Sequence, residues 1–278
     1  MGADIPVWLG GLFAFLFGAS IGSFVNVVAY RLPRDLSIIT PRSFCPECER
    51  ELPVLVNIPI VSYLALRGRC LMCGAAIPMR HFMAELGLAV AALYLYLSFP
   101  LADAFARLVF CAALFAIALI DYDWRLIPNL ITMPGIPIGI IAAVLAIPEV
   151  GLKSSLIGVA FGWGFLFLTG EAYFRLRGRE GVGMGDVWLM GMTGAFIGWP
   201  GAAFTLFVGS ILGSIGGIVV GIGGEYAAPK PDLAQAADAS EAEASMLRTE
   251  VPFGPFLALA AGIYTLFQPQ LFRWYLGG

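Results

Sequence analysis

The feature that most constrains this chain is a succession of apolar runs, each close to the length of a membrane span, separated by short polar connections. Crossing ~30 Å of hydrocarbon takes about 20 mostly apolar residues, with a working range of roughly 17 to 25. By that ruler residues 6–30 form a first span, and further spans are predicted at 83–101, 104–121, 129–148, 154–174, 187–200, 201–223 and 253–272. Hydrophobic residues make up 59% of the chain and charged residues 13%, against about 25% charged in a soluble domain. The expected fold is therefore an all-α polytopic membrane protein with about eight transmembrane helices. No nucleic-acid partner is implied.

Charge placement predicts the orientation. The first apolar run follows Asp4 with no Lys or Arg before it, and Arg31 and Arg34 come directly after. A secretory signal peptide has the reverse polarity, so a retained helix with its amino terminus outside is expected. The connections 31–82, 121–128, 175–186 and 224–252 then share one side, and of the 16 Lys and Arg only Arg107, Lys153 and Arg273 fall on or near the other. Basic residues in short loops favour the cytoplasm. The expected organisation is a first transmembrane helix (1–30), a small cytosolic domain inserted after it (31–82) and a membrane domain (83–278). Within the last, residues 225–250 are rich in Ala and acidic residues, carry Pro229 and Pro231, and read as a flexible cytosolic loop.

Four of the five cysteines lie in the inserted domain as Cys45-x-x-Cys48 and, 21 residues later, Cys70-x-x-Cys73. Two such pairs match the spacing of structural zinc sites, in which each hairpin supplies two thiolates to a tetrahedral ion. A reducing cytosol favours metal over disulfides. A domain of this size has too small a core to fold comfortably unaided, which gives the zinc a structural role. Cys111 reads as a core residue, and His81, the single histidine, rules out a Ser-His-Asp triad or a two-histidine metal centre.

Two aspartates stand at the ends of apolar runs on the same side. Asp121 directly follows Phe115–Ile120, and Asp186 follows the glycine-rich stretch Gly181-Val182-Gly183-Met184-Gly185. A carboxylate at membrane depth marks a functional site by default. Two that meet at one depth share a proton, and one acid with one base is the arrangement by which aspartic proteases activate water. Gly183 and Gly185 let an extended substrate approach the backbone, while Asp123 lies nearer water and Glu85 sits just inside a span; both are candidate supporting residues. Asp186 taken alone also suits a helix N-cap. The glycine-rich stretch lacks the preceding strand and closing GK[ST] of a phosphate loop.

These residues resemble a known family, the bacterial type IV prepilin peptidases, or leader peptidase/N-methyltransferases, which are GxGD-type membrane aspartic proteases. The similarity runs through Gly22–Val28 with Tyr30–Pro33, the paired cysteines, Asn57–Tyr63 with Leu66–Cys70, Asp121–Asn129, Gly183–Asp186 and Pro252–Phe256. It implies Asp121 and Asp186 as catalytic residues and Cys45, Cys48, Cys70 and Cys73 as zinc ligands. It implies prepilins or type II secretion pseudopilins as substrates, cut at the cytoplasmic face of the inner membrane, with the new amino terminus N-methylated from S-adenosylmethionine. Trp188 stands where the family usually has Lys, which takes a cation away from the neighbourhood of Asp186.

Two rival classes are an ion- or metal-coupled membrane transporter using the paired aspartates, and a scaffold with a zinc-bound docking loop. Transporters tend to carry internal repeats and helices broken near mid-span. Here no repeat is seen and both aspartates lie at span ends.

Overall fold

The computed structural model describes residues 6–178, 181–223 and 252–276. The loop expected at 225–250, and Arg179, lie outside them. Among the described residues eight α-helices follow in order: α1 (Val7–Arg31), α2 (Val61–Ala65), α3 (Met79–Ser98), α4 (Leu101–Trp124), α5 (Asn129–Leu145), α6 (Gly151–Arg177), α7 (Met184–Gly223) and α8 (Gly254–Leu276). Five of them, α1, α3, α4, α6 and α7, are long and apolar enough to cross a membrane, while α5 and the Gly254–Gln268 part of α8 are apolar but shorter. Helices start or end a few residues beyond the apolar runs. Backbone hydrogen bonding carries α3 back through Arg80 and His81 and α6 on to Arg175 and Arg177, where side chains leave the apolar zone but the helix does not stop.

The runs expected at 187–200 and 201–223 form one helix broken at Gly198, which has φ 68° and ψ −179°. Only glycine adopts this conformation readily, and Pro200, two residues on, has no N–H to restore the ladder. The first arm packs against α5 and α6. A Cβ at Gly139 of α5 would lie 2.7 Å from Ala195 Cβ, and Gly158 and Gly162 of α6 press on the backbone of Gly194 and Met190. The second arm runs back: Gly209 meets Leu257, Gly213 meets Phe253 and Gly216 meets Phe256. α7 is thus a hairpin, and the eight expected spans correspond to eight apolar segments only when its arms are counted separately.

Two apolar cores share α4. The larger joins α4 to α8 through Phe110, Ile117, Leu189, Met192 and Leu257. The smaller joins α1, α3 and α4 through Val25, Leu88, Leu95 and Leu108. α1 approaches α3 at Gly18 and Gly22, where an added Cβ would strike Ala92 and the backbone of Glu85. Small residues permit such contacts where no water drives helices together. Trp8, Phe13, Leu97, Phe105, Leu168 and Phe207 are exposed around the outside, more contiguous apolar surface than a water-soluble protein tolerates.

At the end of the bundle remote from Asp121, Arg107 is 1% exposed. Its Nε donates to Asp103 (2.6 Å), and Nη1 donates to Gln268 Oε1 (2.8 Å) and the Thr265 carbonyl (3.0 Å). Glu149 lies 3.5 Å from Nη2, and the Phe99 ring is stacked on the guanidinium at 4.2 Å. α4 and α8 are tied together here by a buried charge whose Nε and Nη1 are hydrogen-bonded, while Nη2 has only the Glu149 carboxylate near it among the described residues.

Candidate active site and metal centre

The segment 31–82 carries two equivalent cysteine hairpins, one on either side of α2. In the first, Cys45 N–H donates to Arg50 O and Glu49 N–H to Cys45 O; in the second, Cys70 N–H donates to Ala75 O and Gly74 N–H to Cys70 O. Single antiparallel bridges, Phe44 with Glu51 and Arg69 with Ala76, close each one. The residue four beyond the leading cysteine takes a left-handed conformation in both, Glu49 at φ 55° and Gly74 at φ 73°. The two turns bring the four sulfurs within 4.8 Å of one another, with Cys45 and Cys73 at 3.9 Å. Metal–sulfur bonds of ~2.3 Å put tetrahedral ligands about 3.8 Å apart, so the four thiols fit a single metal ion.

This domain is fastened to the membrane helices at three points. Arg34 donates to the Tyr30 carbonyl at 2.6 Å and lies between two rings, 4.1 Å from that of Tyr30 and 4.7 Å from that of Trp124 at the end of α4. Arg80, at the start of α3, pairs with Asp123. Glu85 accepts the Ile60 N–H at 2.7 Å and a hydrogen bond from Ser23. Ile60 has φ 65° and ψ −54°, and the Val61 N–H reaches the Pro59 carbonyl at 2.6 Å. This is a strained γ-turn for a β-branched residue, and the Glu85 carboxylate holds it. Asp123 and Glu85 therefore have structural partners, and neither joins the pair formed by Asp121 and Asp186.

Asp121 and Asp186 come together around Ile127. Asp121 is buried one turn before the end of α4, where its carbonyl accepts the N–H of Arg125, a left-handed cap. Its Oδ2 meets Gly254 at the start of α8, whose N–H is directed at the carboxylate. Ile127 touches both Gly254 (3.0 Å) and Gly185 (2.7 Å), measured to a Cβ placed on each glycine. Asp186 follows in the first turn of α7, with Oδ2 3.3 Å from the same point on Gly183. The two carboxylates lie within electrostatic reach of each other. Asp186 is not at the N-cap position, since α7 starts at Met184 and Asp186 lies within its first turn, and its Oδ1 is buried with no hydrogen-bond partner among the described residues. An unpaired buried carboxylate oxygen is costly and calls for a partner from outside the chain, such as water or substrate.

Trp188 does not bear on this pair in the way its nearness in sequence suggests. Two helical residues turn the side chain by about 200°, and the indole packs on Trp163 of α6, with ring centres 6.0 Å apart. Gly254, Ile127 and Arg34 are the site-end residues that sequence reasoning did not single out. Gly254 lay inside the matched stretch Pro252–Phe256, but nothing local marks it as a neighbour of Asp121.

Comparison with known proteins agrees with this division. Residues 16–99, covering α1 to the end of α3, match the Bacterial Peptidase A24 N-terminal domain, and residues 108–218, covering α4 to α7, match the Type IV leader peptidase family. A prepilin leader peptidase/N-methyltransferase of Pseudomonas aeruginosa is 32% identical over 289 residues, which cover 95% of this chain and 93% of that protein. One of Dichelobacter nodosus is 33% identical with the same coverages, and one of Burkholderia pseudomallei is 32% identical over 99% of this chain and 91% of the relative. No solved structure matches. With both halves matched and relatives aligned along nearly the whole length, the chain belongs to the type IV leader peptidase family.

Proposed function

We propose that this protein is a membrane-embedded aspartic endopeptidase that removes the leader from type IV prepilins or type II secretion pseudopilins and N-methylates the new amino terminus. The observation that supports the reading is that buried Asp121 and Asp186 are both placed around Ile127, with one Asp186 oxygen lacking a partner among the described residues. In this reading the pair holds a single proton. The ionised carboxylate takes a proton from water as the water oxygen attacks the scissile carbonyl, and the protonated one donates to the carbonyl oxygen. On collapse the carbon–nitrogen bond breaks, the leaving amine takes a proton from the carboxyl that gained one from water, and a hydroxyl of the tetrahedral carbon returns a proton to the other carboxylate, which restores the singly protonated pair. Gly183, where a Cβ would meet only the Asp186 carboxylate, leaves room beside Asp186 for extended substrate backbone, whereas Gly185 is the small residue against which Ile127 packs. S-adenosylmethionine would supply an electrophilic methyl group to the freed amine.

Cys45, Cys48, Cys70 and Cys73 hold a zinc ion that serves structure alone, joining the two hairpins. Arg31, Arg34, Arg42, Arg67, Arg69 and Arg80 gather at the end of the bundle where Asp121 lies, which supports a cytoplasmic orientation of that end in the inner membrane. The scissile bond of a prepilin lies where its own apolar helix leaves the bilayer, at the same depth as the pair.

The test is cleavage of a prepilin with a Gly–Phe junction by the full chain in nanodiscs, with product masses read. Asp121→Asn and Asp186→Asn are each expected to abolish leader removal while thermal stability and zinc content stay at parental values. Cleavage by either variant would overturn the assignment. Leader removal without the added mass of one methyl group would refute the second activity alone.

A further inference from the structure

Where α1 ends at Arg31, the chain does not run straight into the first cysteine hairpin. It folds back as a loop shaped by one buried cation: the Arg31 guanidinium, 4% exposed, donates to the carbonyls of Ser37 (2.9 Å), Pro41 (2.8 Å) and Arg42 (3.1 Å). The Ser37 hydroxyl accepts the N–H groups of Ile39 and Thr40, both at 3.3 Å. This ordered loop turns large aliphatic side chains outward. Leu36 is 45% exposed, Ile38 40% and Ile39 83%. Holding them in water is unfavourable in proportion to the apolar area left wet, and nothing among the described residues covers them. They continue the exposed apolar face of α1, on which Phe17 and Phe24 are each 50% exposed. Between loop and helix lies a crevice of about 330 Å³, lined by Phe24, Val27, Ile38 and Ile39 together with Arg31 and Arg42. Arg31, Arg34 and Arg42 outnumber the single acid of the segment, Asp35.

We propose that residues 35–42 form a membrane-surface anchor, with Leu36, Ile38 and Ile39 among the acyl chains and an anionic phospholipid seated in the crevice with its phosphate at Arg42. Three observations select this occupant. The loop is continuous with the lipid-facing side of a span, its cations suit an anionic headgroup, and an amphipathic crevice at this level matches the boundary between acyl chains and headgroups. The anchor lays the cysteine hairpins along the bilayer, on the side of the protein where Asp121 and Asp186 meet. It is independent of the proteolytic assignment.

The test uses the full chain, in nanodiscs of mixed phosphatidylcholine and phosphatidylglycerol, with the photoreactive residue p-benzoylphenylalanine in place of Ile39 or, as control, of exposed Glu47. After irradiation, mass spectrometry is expected to show phospholipid adducts at position 39 and none at 47. At position 39 the ratio of phosphatidylglycerol to phosphatidylcholine among the adducts should exceed that of the bilayer about fivefold, the effect of one basic residue at an anionic surface. Arg42→Glu should abolish the enrichment while the adduct itself remains. Adducts at 39 to protein or to added prepilin in place of lipid, equal lipid labelling at 47, or enrichment that survives Arg42→Glu would overturn the proposal. Zinc content and thermal unfolding of each variant establish that the fold is intact.

Discussion

Gly254→Ala probes how tightly the reaction depends on the position of Asp121. A Cβ at residue 254 would sit 2.5 Å from Asp121 Oδ2 and 3.0 Å from Ile127 Cδ1. Comfortable contacts begin near ~3.5 Å, so the carboxylate must retreat by close to 1 Å or α8 must tilt. A misplacement of about 1 Å costs roughly 10²-fold in rate, equivalent to ~2.7 kcal/mol of barrier. The fold should tolerate the change, because overpacking costs about 1–3 kcal/mol and exchanging Gly for Ala in a helix returns up to ~1 kcal/mol. The assay is the initial rate of leader removal in nanodiscs, with thermal unfolding measured alongside. Gly262→Ala supplies the control, since the same substitution in the same helix meets nothing within 4 Å and should leave the rate unchanged. A Gly254→Ala protein that cleaves within about threefold of the parent, when ~10² is expected, would refute the placement of Asp121 against α8 in the working enzyme.

Arg107→Met strips the partner from buried Asp103 and should lower unfolding stability by about 3–5 kcal/mol, with Asp103→Asn added to it recovering part of the loss; differential scanning calorimetry reads both. Arg34→Ala removes two ring contacts worth ~0.5–1 kcal/mol each, so proteolysis between residues 35 and 78 should accelerate while the membrane helices stay protected, and Arg34→Lys should restore part of the protection. Stripping metal with a chelator, or Cys73→Ser, should abolish bound zinc and open the hairpins to protease, because a site of this kind contributes folding free energy directly.

The helical scaffold was readable because a membrane imposes one crude rule, length of apolar run, and six of the seven long apolar helices among the described residues each follow a single such run. The exception is instructive. Residues 187–200 looked short because Gly198 and Pro200 interrupt the apolar stretch, and those residues turn α7 back on itself. The gathering of Cys45, Cys48, Cys70 and Cys73 was readable because the spacing of metal ligands is local, and Asp121 and Asp186 stood out as candidates because a carboxylate is conspicuous in an apolar setting. Gly254, Arg34 with Trp124, and Arg107 with Gln268 were not, since each pairs residues far apart in the chain whose meeting follows only from the packing of whole helices. Trp188 shows the opposite hazard, as adjacency in sequence to Asp186 suggested an influence that the helical turn directs toward α6.

The Arg107 cluster also sets where the polypeptide can be cut or spliced. Two of its acceptors, the Thr265 carbonyl and Gln268 Oε1, come from the latter half of the last helix. A truncation or fusion junction placed ahead of Gln268 would strand a cation among apolar side chains, although it removes nothing near the aspartates. Swapping segments between relatives meets the same boundary: α4 and α8 must travel together, as a donor and its receptors, or the chimera inherits a charge with nowhere to go.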